Sequence, residues 1–258
     1  MEYRVLAVGD VVGENGLRHL ERCLRPLKKL EDIRFTVANG ENISGVGLAP
    51  DQADALFAAG ADVVTLGNHT FNRPQIASRL ETDPYLLRPA NFTSHAPGKG
   101  FAIWESGPVR IGVINLIGRC GLDFHADNPF LTADRILGQW DRPTFTLVDF
   151  HAEATSEKLA MSYYLDGRVS ALWGTHTHVP TADEHVMEKG TGYLTDLGMT
   201  GPVRSVLGIR PEQSIESFLG GLPGRYQVAP DPCCMQGAVF TLDTETGLCL
   251  QVERVDIR

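Results

Sequence analysis

The chain has 258 residues, 43% hydrophobic and 21% charged, an ordinary balance for a soluble globular protein and enough for one ample core over residues 1–258. A net charge of −9 excludes an overall pull on nucleic acid, so long duplexes, which need many Lys and Arg contacts, are not expected partners. No run approaches the roughly 18 apolar residues of a membrane span, and Cys23, Cys120, Cys233, Cys234 and Cys249 include no Cys-x-x-Cys pair, which together with Met1–Arg4 leading straight into a strand-like segment sets the expectation of a reducing cytoplasm.

Val5–Val8 reads as a short buried strand ending at Gly9-Asp10. From Gly16 to Leu30 the residues Leu17, Leu20, Leu24, Leu27 and Leu30 share one helical face, which leaves His19 on a polar, solvent-facing side. Phe35–Ala38 is a second strand, ending at Asn39-Gly40-Glu41-Asn42, and Pro50 or Asp51 opens a helix through Ala59. A third strand over Asp62–Leu66 ends at Gly67-Asn68-His69, and a short helix is expected from Arg73 to Leu80. This strand–loop–helix order predicts a largely parallel sheet covered by helices, with ligands at the carboxyl ends of the strands.

The second half repeats the logic. Strands are expected at Val109–Leu116, Thr144–Asp149, Val169–Trp173 and Gly192–Asp196, with a helix over Ala154–Leu165. Met235–Leu242 and Cys249–Val255 form a hairpin around Thr244-Glu245-Thr246-Gly247. Two sheets packed face to face, each with helices outside, account for this strand count. Residues 84–100 and 198–232 are rich in Pro and Gly and read as loops near the site mouth or at a subunit contact, which leaves room for a homo-oligomer. His185, in a polar run, and His95 and His125, in loops, are assigned no role.

Chemistry gathers at the strand ends. Gly9-Asp10, Gly40-Glu41-Asn42, Gly67-Asn68-His69, Asp149-Phe150-His151 and Gly174-Thr175-His176-Thr177-His178 each follow an apolar run. Any one of them is an ordinary turn. Five strand ends that all deliver Asp, Glu, Asn or His are the pattern of a dinuclear metal site. Glu41 can give an oxygen to each ion. Asp10, Asn42 and His178 suit the first ion, and Asn68, His151 and His176 the second. Mixed nitrogen and oxygen ligation fits iron, manganese or zinc better than calcium. Such a pair would hold a bridging hydroxide that attacks phosphorus, with His69 placed to protonate the leaving oxygen. Asp149 either orients His151 or caps the strand end.

These five pieces resemble the motifs of the calcineurin-like metallophosphoesterase superfamily, with two departures: Val12 stands where the first motif has His, and Glu41 where the second has Asp. Both departures, together with Arg88-Pro89-Ala90-Asn91-Phe92, the run Asp149 to Lys158, Gly174 to Val179 and Thr195 to Pro202, look like the bacterial YmdB-like branch. That resemblance implies an α/β fold built as a four-layer αββα sandwich of two mixed sheets flanked by helices. It implies a dinuclear centre, iron first, and hydrolysis of a small phosphodiester substrate: 2′,3′-cyclic nucleotides opened to the 3′-phosphate, and 3′,5′-cyclic nucleotides as well. It gives Asp10, Glu41, Asn42 and His178 to one ion, Glu41, Asn68, His151 and His176 to the other, and proton donation to His69. The competing readings are a phosphomonoesterase or protein phosphatase, and a non-catalytic nucleotide-sensing regulator.

Overall fold

The central strands of this chain read as apolar runs because both of their faces are covered. In a computed structural model, which describes residues 1–122, 125–222, 224–230 and 232–258, the first strand, β1 (Glu2–Val8), sends Val5 and Ala7 to one face and Leu6 and Val8 to the other, and all four are buried. The period-two alternation of a strand makes that division. Leu6 and Val8 pack with Leu17, Leu20 and Leu24 of α1 (Gly13–Leu30), Leu56 of α2 (Pro50–Ala59) and Leu80 of α3 (Ile76–Thr82). Val5 and Ala7 pack instead with residues of a second sheet.

The first sheet runs β2 (Asp10–Val11), β12 (Met199–Pro202), β13 (Cys233–Asp243), β1, β3 (Ile33–Asn39), β4 (Val63–Thr65) and β5 (Leu86–Leu87), with β14 (Cys249–Ile257) paired to β13. β1, β3, β4 and β5 are parallel, whereas β13 is antiparallel to β1, β12 and β14. The second sheet runs β10 (His185–Val186), β11 (Gly192–Leu194), β9 (Ala171–Thr175), β8 (Phe145–His151), β7 (Val109–Ile117) and β6 (Phe101–Ser106), parallel from β11 to β7 and antiparallel at both edges. Phe145, Leu147, Ala171 and Trp173 face the first sheet. Val148, Phe150 and Leu172 face α4 (Pro129–Gln139) and α5 (Thr155–Leu165). Helix, sheet, sheet and helix therefore stack as the expected αββα sandwich of mixed sheets.

The seam between the sheets is apolar below and polar at its upper end. Asp149 and His151 share strand parity with Phe145 and Leu147, so they point into the seam just above its apolar part. Thr65 Oγ1 donates across the seam to Asp149 Oδ2 at 2.5 Å. Fully buried Asn115 of β7 donates from Nδ2 to the carbonyls of Leu66 at 2.6 Å and Leu87 at 2.9 Å, so one amide ties the exits of two strands in the opposite sheet.

Several expectations need correction. His19 is not on a solvent-facing side: it is 9% exposed, with Nε2 3.1 Å from the Ile257 carbonyl, because the end of β14 covers that part of α1. The stretch 198–232 is not simply loop. It carries β12 and α6 (Pro211–Phe218), and its residues 223 and 231 lie outside the described residues. β5 lies within 84–100, and β6 and α4 were not anticipated. α4 has its own start signal: Asn128 accepts from the Phe130 and Leu131 amides, and Pro129 opens the first turn. The short helix begins at Ile76 rather than Arg73, just after Pro74.

Asn115→Leu would leave the Leu66 carbonyl buried without this donor, while the Leu87 carbonyl keeps the Leu66 backbone N–H at 3.0 Å. A loss of about 1–3 kcal/mol is expected, measured as a lower urea midpoint. An unchanged midpoint would show that this amide contributes nothing to stability.

Candidate metal centre

Asp10 occupies the two-residue strand β2, which pairs with β12 immediately beyond the end of β1. Its Oδ2 accepts the His176 backbone N–H at 3.1 Å, and its Oδ1 is buried with no hydrogen-bond donor. Glu41 and Asn42 follow β3. Val12 forms a backbone bridge with Asn42. Asn68 and His69 follow β4, His151 ends β8, and His176 and His178 follow β9.

The β9 loop is held in an uncommon shape. His176 and His178 have φ of 97° and 63°, a region that costs a non-glycine residue about 1–3 kcal/mol and persists only where the surroundings enforce it. Asp196 supplies that enforcement. Its Oδ2 accepts from Thr177 N at 3.3 Å, Thr177 Oγ1 at 2.8 Å and Lys158 Nζ at 2.7 Å. Lys158 and Asp196 form a buried ion pair whose carboxylate is shared with this loop.

All seven expected donors meet at the top of the seam. His151 Nε2 lies 3.0 Å from Glu41 Oε1, 2.9 Å from Asn68 Oδ1 and 3.2 Å from His176 Nδ1. Among the described residues, Glu41, His151 and His176 form a group whose ligand atoms lie within 4.8 Å of one another. On the other side, His178 Nε2 is 3.7 Å from Asp10 Oδ1 and 3.1 Å from the Asn42 amide, which is itself 3.5 Å from Glu41 Oε1. Gly67 permits the approach, since a Cβ there would stand 2.3 Å from His151 Nε2 and 2.5 Å from Glu41 Oε2.

Three features of these atoms fit cations. Donors in adjacent positions around an ion, each about 2.1 Å from it, are about 3 Å apart, which is the spacing around His151 Nε2. Among the described residues, none donates a hydrogen bond to the buried Asp10 Oδ1. Each imidazole also turns one nitrogen inward while the other faces an acceptor: His151 Nδ1 faces Thr175 Oγ1 at 2.9 Å, His176 Nε2 faces Glu153 Oε2 at 3.1 Å, and His178 Nδ1 faces the Leu207 carbonyl at 3.0 Å. Such outer partners fix the tautomer of a ligating His. Asp149 reaches His151 only through Thr175, whose Oγ1 donates to Asp149 Oδ1 at 2.8 Å. Of these partners, Thr175, Glu153 and Leu207 were not anticipated. Glu153 lies only two residues beyond His151, but nothing in its spacing marks it out.

His69 stands beside the cluster rather than in it. Its backbone N–H donates to Glu41 Oε2 at 3.0 Å, and its ring lies between the Asn68 amide at 3.3 Å and the Asn72 amide at 3.2 Å. It lines a cleft of about 1200 Å³ together with Asn42 and His178.

The electrostatics show how strongly this pocket favours positive charge. Burial pushes the Glu41 carboxyl up, but the His151 imidazole and then His69 outweigh it and hold the group at about 2. Burial lowers His151, yet Glu41, then Asp10 and Asp149, raise it to about 9. Burial followed by repulsion from His151 drops His176 to about 3.

A family model described as YmdB-like protein matches residues 6–255. A 2′,3′-cyclic-nucleotide 2′-phosphodiesterase of Bacillus subtilis (strain 168) is 42% identical over 254 residues, which is 98% of this chain and 96% of that protein. The crystal structure of a protein described as a novel phosphatase, from Mycoplasma pneumoniae, superposes with a TM-score of 0.93 at 34% identity, over 100% of this chain and 94% of that one. A Thermus thermophilus protein does so with a TM-score of 0.92 at 37% identity, over 98% of each chain.

The raised His151 value sets a pH dependence. Its stabilising contribution is complete below the ordinary 6.5 and disappears as pH rises through about 9. Metal binding requires a neutral imidazole and so removes that dependence. Metal-stripped protein is therefore expected to lose thermal stability across this interval, and metal-loaded protein to lose less. Equal slopes in melting scans of the two forms would refute the assignment.

Proposed function

The chain belongs to the YmdB-like protein family, and from that premise we propose that it is a metal-dependent phosphodiesterase acting on small cyclic nucleotides. The preferred reaction opens 2′,3′-cyclic nucleotides to the 3′-phosphate, with 3′,5′-cyclic nucleotides as a second ester of the same kind. The observation that carries the reading is the meeting of Asp10, Glu41, Asn42, Asn68, His151, His176 and His178 at one end of the seam, open to a cleft. Two ions, iron first and manganese or zinc as alternatives, would be held by Asp10, Glu41, Asn42 and His178 and by Glu41, Asn68, His151 and His176, supplying charge that polarises a phosphoryl oxygen and acidifies water.

The chain's own residues do the rest. Glu153, Thr175 and the Leu207 carbonyl keep the three imidazoles in the tautomer that leaves a lone pair inward. Glu41 fixes the His69 backbone, and His69 gives a proton to the departing ester oxygen. Among the described residues no helix is long and apolar enough to cross a membrane. A cytoplasmic location belongs to the same proposal.

A homo-oligomer is also part of this reading. Ile215 and Phe218 of α6 and the following Leu219 and Leu222 are all exposed, Leu222 by 95%, and together they make an apolar surface of the kind that a second copy covers. Light scattering is expected to report more than one chain per particle, and Phe218→Glu combined with Leu222→Lys to return it to one. A monomeric parent protein would sink this part.

His69→Ala is expected to keep its metal content and lose roughly 10²–10⁴-fold in kcat on a 2′,3′-cyclic nucleotide. Elemental analysis paired with turnover measures both. Undiminished turnover would remove His69 from the reaction. Faster cleavage of p-nitrophenyl phosphate than of bis(p-nitrophenyl) phosphate would favour a phosphomonoesterase instead.

A further inference from the structure

The cleft above the metal centre is larger and more basic than a cyclic mononucleotide requires. Pockets that enclose one drug-sized ligand span about 300–1,000 Å³, whereas this one holds about 1200 Å³. It extends from Asn42, His69 and His178 past the start of α1 to residues 224–230. Three arginines line it, Arg18, Arg73 and Arg225, against a single carboxylate, Glu14, in a chain whose net charge is −9.

Among the described residues none of the three arginines takes part in an ion pair. Arg73 donates from Nη2 to the Ser44 carbonyl at 3.2 Å, and its Nε is buried without a partner. Glu14 is engaged by Gln52. Toward the far end stands Tyr226, half exposed, its hydroxyl bonded to Ser217 Oγ at 3.1 Å. Unpaired arginines beside an exposed aromatic ring are what single-stranded nucleic acid meets: charge for the backbone and a flat surface for a base.

Resting on the phosphodiesterase reading, we infer that the substrate class is a short single-stranded RNA fragment ending in a 2′,3′-cyclic phosphate, rather than the free mononucleotide. The terminal cyclic phosphate lies at the metal centre. The phosphates before it are answered by Arg73, Arg18 and Arg225, and a preceding base packs on Tyr226. In the reaction a water oxygen bonds to phosphorus and releases a proton to solvent, the bond from phosphorus to O2′ breaks, and O2′ takes a proton from His69, which solvent then restores. The strand is left with a 2′-hydroxyl and a 3′-phosphate. Reactions that cut RNA by attack of the 2′-hydroxyl on the adjacent phosphate supply such ends.

The test compares kcat/KM of the full-length, metal-loaded protein on 2′,3′-cyclic AMP, on the same nucleotide bearing a 5′-phosphate, and on a diadenylate with a terminal 2′,3′-cyclic phosphate. The diadenylate is expected to be at least tenfold better than the mononucleotide, with the advantage shrinking as salt rises. Arg18→Gln with Arg225→Gln, and separately Tyr226→Ala, should each reduce that ratio severalfold. A ratio near one overturns the inference and leaves the phosphodiesterase reading intact. So does a 5′-phosphorylated mononucleotide that matches the diadenylate, because the cleft then reads a phosphate and not a strand. No turnover of any of the three removes the underlying activity.

Discussion

A carboxylate from one sheet and an imidazole from the other, buried 3.0 Å apart, organise this molecule. Glu41 leaves β3 and His151 ends β8, and neither is exposed. Removing two such groups from water costs several kcal/mol each unless charge and hydrogen bonds are returned to them. The returns are visible one by one: the His69 amide on Glu41 Oε2, Thr175 on His151 Nδ1, Asn68 on His151 Nε2. What remains unmet is negative charge, chiefly at Asp10, and that remainder makes the top of the seam a receptor for cations. The sandwich places the receptor. Alternation along β8 sends Phe145 and Leu147 into the apolar seam and Asp149 and His151 into its polar end, so core and site are successive positions on one strand.

Much of the candidate donor set was legible because its members lie at or just beyond the ends of apolar runs, where the chain leaves the sheet. Apolar run, glycine, then Asp, Glu, Asn or His is a local pattern, and it recurs. Glu153, Arg73 and Tyr226 lack such a frame. They reach the site by tertiary approach from loops whose own sequences carry no comparable signal, and only the folded chain shows that Glu153 meets His176. His19 teaches the same lesson in reverse: its helical face looks polar in isolation, and the cover comes from residue 257, far along the chain. Short elements failed for a third reason. β5, β10 and β12 are two to four residues long, too few to carry a periodicity, and exist because a neighbour offers its edge.

Charge is distributed against the average. The chain carries an excess of acid overall, yet its cleft gathers arginines that have no ion-pair partner among the described residues. Guanidinium groups beside a cation-seeking centre make a surface on which anions are favoured, against the chain's net negative charge. Selection between small anions and extended ones then falls to the walls, formed by the start of α1 and by residues 224–230.

The pairing of β1 has an implication for how the molecule comes into being. This first strand is sandwiched between β3, its near neighbour in sequence, and β13, which begins at Cys233. Asp10 depends on β12, some 190 residues later. A nascent chain therefore keeps one edge of β1 bare until β13 has been made. Copies that stop short of β9 lack the Asp10 anchorage and the His176–His178 loop together, so the centre cannot close before β12 exists to hold Asp10.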